Sequence, residues 1–254
     1  MDFGGFDLMF LLPFIAVGFA AQLVDGALGM AFGVICSTML VAVLGVPPAV
    51  ATQRIHIVEC FTTATSGISH LLHGNVDKRL FFRLLIPGII GGILGAYVVT
   101  SFDAAVVKPF VLLYLSAIGI YLLWRGVMYP PQVRDAKFIG PLGLLGGFLD
   151  AAGGGGWGPV VTSNLMVQGS NPRYTVGTVN TAEFFLTATI SATFIATLGW
   201  EVITKATLGL LIGGVIAAPI GAIVTKKISG DKMLVAVGTV LIATSGYGLW
   251  KLLA

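Results

Sequence analysis

Charge is what this chain has least of. Asp, Glu, Lys and Arg together make up 10% of its 254 residues, against about 25% in a soluble domain. Hydrophobic residues make up 56%, and the mean hydropathy is +0.97. A chain so poor in charge and so rich in apolar surface reads as an integral membrane protein. Cysteine is also scarce. Cys36 and Cys60 each lie in an apolar run, which excludes a disulfide framework and a cysteine-based metal motif, and no cofactor is expected. There is no G-x-S-x-G, no H-E-x-x-H and no Walker sequence, which argues against an intramembrane hydrolase and against ATP hydrolysis within this chain. Residues Met1 to Asp7 contain no basic n-region, so no cleaved signal peptide is expected. The net charge of +3 reads as loop topology, and no nucleic-acid partner is expected.

What is present is a series of long, continuous apolar runs. A β-barrel would show short alternating segments, so these runs read as helices. Ten segments can be marked, at 8–24, 30–45, 49–72, 81–100 and 104–124, then 139–149, 156–168, 175–198, 203–225 and 233–253. Between the fifth and sixth lies R-G-V-M-Y-P-P-Q-V-R-D-A-K (Arg125 to Lys137), the most polar stretch of the chain. This divides the chain into 1–124, a linker at 125–138, and 139–254.

The stretch Gly147 to Gly158 reads G-F-L-D-A-A-G-G-G-G-W-G. The apolar run before Asp150, Ile139 to Leu149, is 11 residues, or about 16 Å of helix. A bilayer core is about 30 Å thick, so this run reads as a half-helix broken at a carboxylate and four glycines. Such breaks point to a transporter's substrate site. The stretch has a counterpart 125 residues earlier, where Asp25, Gly29 and Gly33 match Asp150, Gly154 and Gly158. The match continues. Glu59 follows Pro48 by the same 11 residues as Glu183 follows Pro172, and Phe61 and Thr63 match Phe185 and Thr187. The halves end in Y-L-L-W (Tyr121 to Trp124) and Y-G-L-W (Tyr247 to Trp250). These matches in one order indicate an internal duplication.

Five segments per half is an odd number, so the second copy starts on the opposite side of the membrane and the repeats are inverted. The parity holds whether the first two segments of each half cross or form a re-entrant hairpin. With the N-terminus outside, Lys78, Arg79, Arg83, Arg125, Arg134, Lys137, Arg173, Lys226, Lys227 and Lys232 fall inside, while Lys108, Lys205, Lys251 and Arg54 fall outside. The positive-inside rule then places both termini outside. The broken helices would enter from opposite sides and meet near the midplane, where their N-terminal N–H groups make an anion site.

The paired D-G-A-L-G-M-A-F-G (Asp25 to Gly33) and D-A-A-G-G-G-G-W-G (Asp150 to Gly158) resemble the sulfite exporter TauE/SafE family of bacterial membrane proteins. So do H-G-N-V-D (His73 to Asp77) and G-G-I-L-G-A (Gly91 to Ala96), and the resemblance covers essentially the whole chain. It implies an all-α secondary transporter of small sulfur-containing anions, such as sulfite or organosulfonates, in the bacterial inner membrane. Direction and coupling ion stay open, and a homo-oligomer is allowed. An anion channel with the same half-helix site is the alternative, and an intramembrane enzyme is the least favoured.

Asp25 and Asp150 each sit within apolar sequence, where a carboxylate is costly. Each could cap the segment after it, couple to substrate or protons, or do both. Glu59 and Glu183 occupy matching helices and are the proton-coupling candidates. Burial favours the neutral form of a carboxyl group, and a structural hydrogen bond is the plainer alternative. Thr52 to His56 (T-Q-R-I-H) brings hydroxyl, amide, guanidinium and imidazole groups together. Arg54 could fork onto an oxyanion or snorkel to the interface, and His56 could titrate near neutral pH. The second copy offers Thr178 and Asn180 there. Gly29, Gly154 and Gly155 let backbone approach a substrate, and Trp157 would wall the cavity or pack on a helix. His56 and Glu59 share a helix face at a metal-ligand spacing, but two ligands are too few and no metal is expected. Gly88, Gly91, Gly92 and Gly95, with Gly214 and Gly221, fit close helix packing.

Overall fold

The computed structural model describes residues 2–3, 6–28, 30–72, 74–128, 136–162, 164–165, 168, 170–200, 205–224 and 230–253. Apart from a two-residue antiparallel ladder, Asp2–Phe3 (β1) with Phe6–Asp7 (β2), the described elements are helical. In chain order they are α1 (Leu8–Leu28), α2 (Phe32–Thr38) continuing as a π-helical turn (Met39–Val43), α3 (Pro48–Leu72), α4 (Lys78–Ser101), α5 (Ala104–Met128), α6 (Ile139–Gly153), a second π-helical segment (Trp157–Thr162), α7 (Pro172–Leu198), α8 (Lys205–Val224) and α9 (Gly230–Leu253).

Local sequence sets several of these boundaries. H-G-N-V-D ends on Asp77, whose Oδ1 accepts from the N–H groups of Arg79 (2.8 Å) and Leu80 (3.1 Å) and so starts α4. Asp103 starts α5 in the same way, accepting from the Ala105 N–H at 2.7 Å. Two helix ends run past the apolar segments marked in the sequence. Helix α5 runs on through Arg125 to Met128, so the first residues assigned to the linker are helical. Residues 129–135 lie outside the described residues. Helix α6 extends to Gly153, because Ala151 and Ala152 are good helix formers and Asp150 is accommodated in the last turn. Its 15 residues span about 22 Å, still short of a bilayer core.

Helices α4, α5 and α7 (from Tyr174) are long and apolar enough to cross a membrane. Shorter apolar stretches are Met9–Asp25, Phe32–Val43, Ile139–Gly153 and Lys205–Ala217. Large apolar side chains stand exposed on the outer faces, among them Phe82, Tyr97, Phe110 and Trp250. That much exposed apolar surface suits solvation by lipid.

The packing interlocks the two halves. Helix α1 lies along α8, α6 along α4, α5 along α9 and α3 along α7. Exchanging the halves by the 125-residue correspondence maps α1 with α8 onto α6 with α4, and maps the other two pairs onto themselves. The α5–α9 contact includes a hydroxyl pair, Ser116 Oγ to Ser245 Oγ at 2.7 Å.

Glycines make the α4–α6 contact close. A methyl on Gly91 would collide with the Leu144 carbonyl oxygen and lie 2.9 Å from the Phe148 nitrogen. On the exchanged pair, Gly209 and Gly213 of α8 meet Phe14 and Ile15 of α1 at similarly short range. Gly92 faces Leu186 and Ile190 of α7, Gly214 has ordinary spacing, and the surroundings of Gly221 lie outside the described residues. Overpacking of this kind costs about 1–3 kcal/mol. Gly91→Ala is therefore expected to lower the unfolding midpoint in detergent, whereas Gly214→Ala, with its nearest neighbour at 3.6 Å, should leave it nearly unchanged.

Candidate functional site

The two breaks meet each other. A methyl on Gly33 would lie 2.7 Å from Gly155 Cα, 2.9 Å from the Gly154 oxygen and 3.1 Å from Glu59 Oε1. Gly154 (φ +71°) and Gly155 (φ +144°) adopt positive φ, which lets the chain leave α6 and turn directly into the second π-helical segment. Only hydrogen atoms fit between the two backbones at the crossing.

Asp150 organises this turn. Its Oδ1 accepts from the N–H groups of Gly156 (2.7 Å) and Trp157 (3.0 Å). Its backbone oxygen accepts from Gly154 (2.9 Å) and Gly155 (3.1 Å). Four consecutive N–H groups are thus satisfied by one residue. Of the roles open to Asp150, the geometry shows the cap, with a resident carboxyl group on the N–H groups that an anion would otherwise take. Asp25 does the same more weakly, its Oδ1 accepting from Phe32 N–H at 3.3 Å. Gly29 lies outside the described residues.

The other oxygen of Asp150, Oδ2, lies 3.0 Å from His56 Nε2, and both side chains are buried. His56 Nδ1 lies 2.7 Å from the Thr52 carbonyl oxygen. A carbonyl only accepts, so Nδ1 carries a proton. A second proton must then lie between Nε2 and Oδ2, or two lone pairs would face each other. Oδ1 accepts two N–H bonds, so His56 and Asp150 share one proton between Nε2 and Oδ2. Glu59 lies one turn on along α3. His56, Glu59 and Asp150 each place one ligand atom within 4.8 Å of the others, a separation at which three such groups can hold a metal ion. The hydrogen bonds already made by His56 and Asp150 account for their placement without one. Glu59 Oε2 is buried without a hydrogen-bond partner. Glu59 and Glu183 each lie within electrostatic reach of Asp25 and Asp150, and Glu59 also of Glu183.

Two hydroxyls face Gly154. A methyl there would lie 2.7 Å from Thr52 Oγ1 and 2.8 Å from Ser37 Oγ. Ser37 donates to the Gly153 oxygen at 2.6 Å, whereas Thr52 Oγ1 is buried without a partner. Tyr114 closes the far side, its hydroxyl donating to the Gly155 oxygen at 3.0 Å.

Other expected site residues lie elsewhere. Arg54 is two residues from His56, about 200° around the helix, and is half-buried with its Nε unpartnered. Trp157 is fully buried, donates its indole N–H to the Val179 oxygen at 3.2 Å, and packs its ring on Gly88 and Gly146. It is a packing residue between α4, α6 and α7. Thr178 accepts the Asp77 N–H at 2.9 Å, and Asn180 donates to Ser66 Oγ at 3.0 Å, so both tie α7 to neighbouring segments. Ser37 and Tyr114 were not singled out from sequence. Ser37 carried a usable signal, since a hydroxyl, Thr162, stands 125 residues on in the second copy. Tyr114 carried none, as its counterpart position is Thr239.

The sequence of residues 14–248 matches the family described as Sulfite exporter TauE/SafE. The chain belongs to this family. It is 42% identical over 241 residues to the "Probable membrane transporter protein YtnM" of Bacillus subtilis (strain 168), covering 91% of this chain and 80% of that protein. It is 24% identical to a "Probable membrane transporter protein" of Haemophilus influenzae, over 86% of this chain and 85% of that one. It also matches the "Probable membrane transporter protein YunE" of Bacillus subtilis at 28% identity over 44% of this chain and 42% of that protein. No solved structure matches. This TauE/SafE protein is a multi-pass membrane protein of the transporter class. The buried His56–Asp150 pair and the touching breaks are its most concentrated polar feature among the described residues.

Proposed function

We propose that this TauE/SafE protein is a secondary transporter that exports small sulfur-containing anions, such as sulfite or organosulfonates, in a proton-coupled cycle. Residues 1–124 and 139–254 act as inverted repeats joined by a cytoplasmic linker at 125–138. They rock about a site near the midplane of the bacterial inner membrane, with both termini outside. The observation that carries the reading is the crossing at Gly33 and Gly155, where the Asp150 side chain occupies backbone N–H groups beside the His56 ring and an unpartnered hydroxyl.

In this scheme Asp150 is a resident stand-in for the transported anion. A proton taken up by Glu59 passes to Asp150 and turns its carboxylate into an acid. The N–H groups of Gly156 and Trp157, the His56 ring and the Thr52 hydroxyl then take the anion. Loss of that proton restores the carboxylate and expels the anion, so one proton and one anion move in a coupled cycle. Asp25 with Glu183 serves the other break, and Gly29, Gly154 and Gly155 supply the close backbone approach. Arg54, Thr178 and Asn180 line the route on either side of the crossing rather than the crossing itself, and Trp157 holds the frame.

The test is a thermal-shift series on purified protein against sulfite, sulfate, thiosulfate and short alkanesulfonates. Bound ligand raises the unfolding temperature in a concentration-dependent way. A sulfur anion is expected to do so for the unmodified protein and not for Thr52→Val. Because Thr52 Oγ1 is buried and unpartnered, removing it should itself raise stability or leave it within about 1 kcal/mol. No shift with any sulfur anion would overturn the substrate class.

A further inference from the structure

A second recess lies outside the polar crossing. Helices α4, α5 and α6 enclose a cavity of about 350 Å³ with Phe102, Val106 and Phe110 at its mouth and Val99, Val111 and Gly153 deep within it. The mouth residues are 59%, 55% and 68% exposed, so the cavity opens onto the apolar outer face, and Val99 and Val111 are buried.

Its chemistry is one-sided. Every lining side chain is apolar except Tyr114. The Tyr114 hydroxyl is engaged with the Gly155 oxygen at 3.0 Å, and the Gly153 oxygen accepts from Ser37 at 2.6 Å. A polar ligand entering this recess would lose its hydration and find no partner, which costs more than the space returns. A hydrocarbon loses nothing. In a membrane protein the hydrocarbon at such a mouth is the lipid tail, and the cavity is continuous with the lipid-facing surface.

We propose that this cavity is a binding site for one acyl chain of a membrane lipid, inserted between α4 and α5 until it meets Tyr114. The tyrosine is what gives the site a consequence. Its ring lies against Gly153, and a methyl on Gly156 would lie 2.7 Å from its hydroxyl oxygen. An acyl chain packed on this ring keeps Tyr114 pressed to the glycine turn, and an empty cavity leaves room for the ring to swing away. The lipid therefore props the break from the side opposite Ser37 and Thr52.

The experiment is photo-crosslinking of the full-length protein in nanodiscs made with a phosphatidylcholine that carries a diazirine on one acyl chain. Labelled peptides are then mapped. Labelling is expected to concentrate several-fold on Val98–Val111 and Phe148–Gly153 relative to the exposed face of α5 at Leu113 and Ile120. Ala152→Leu fills the cavity from α6 and Val107→Phe fills it from α5, so the test does not depend on one variant folding. Either should cut cavity labelling several-fold, while Leu113→Ala should leave it unchanged. Equal labelling of cavity and exposed face, or labelling unaffected by a folded cavity-filling variant, would overturn the proposal.

Discussion

Gly155→Ala is expected to destabilise the protein by about 2–6 kcal/mol, from backbone strain of about 1–3 kcal/mol plus overpacking of similar size. At φ +144° the backbone is in a region that L side chains rarely adopt. A methyl would also lie 2.8 Å from Gly33 Cα and closer still to the Val34 nitrogen. Neither obstacle can yield cheaply, because the colliding atoms are backbone held in the partner break. Gly246→Ala is the matched contrast. Gly246 lies in α9 with nothing within 4 Å of a built methyl, so alanine there should be neutral or stabilising by about 0.5–1 kcal/mol. Unfolding of the two variants in the same detergent measures the difference. Equal midpoints would mean that the two breaks do not touch as described.

The second large effect is at the His56–Asp150 pair. Asp150→Ala leaves the buried His56 ring without its partner and leaves the N–H groups of Gly156 and Trp157 without their acceptor. Breaking a buried pair by removing one partner costs about 3–5 kcal/mol. Asp150→Asn separates the two roles. Its amide oxygen can still accept from the glycine turn, and its nitrogen can donate to a neutral His56, so most of the stability should remain while proton-linked transport is lost. In a double-mutant cycle, His56→Ala with Asp150→Ala should cost clearly less than the two single changes added together. Strict additivity would show that the pair does not act as a unit.

Several of these features were legible in the residues. Long apolar runs gave the helices to within a few residues, since hydropathy and length suffice when the surrounding medium is apolar. The D-x-x-x-G stretches marked both breaks, because a carboxylate and glycine in an apolar run have few other uses. What the sequence could not supply was the direction of side chains across the crossing. The run T-Q-R-I-H suggests that Arg54 and His56 act together, yet helical geometry sends them to different sides. Trp157, placed beside Asp150 in sequence, turns its ring into the α4–α6–α7 core because glycines at 88 and 146 leave a slot for it. Tyr114 comes from α5, far along the chain, and only tertiary packing brings its hydroxyl to Gly155. The π-helical turns after both breaks were also invisible, as no residue pattern separates one apolar turn from another.

Proton-coupled anion transport is measured as flux in sealed proteoliposomes. Vesicles loaded with sulfite or a short alkanesulfonate are followed with and without an imposed pH gradient, for the unmodified protein, Thr52→Val and Asp150→Asn. The expected result is saturable anion flux that accelerates with the proton gradient, is nearly abolished by Thr52→Val, and in Asp150→Asn no longer responds to the gradient. Flux no greater than in protein-free vesicles for every sulfur anion, or undiminished flux through folded Thr52→Val, would contradict it.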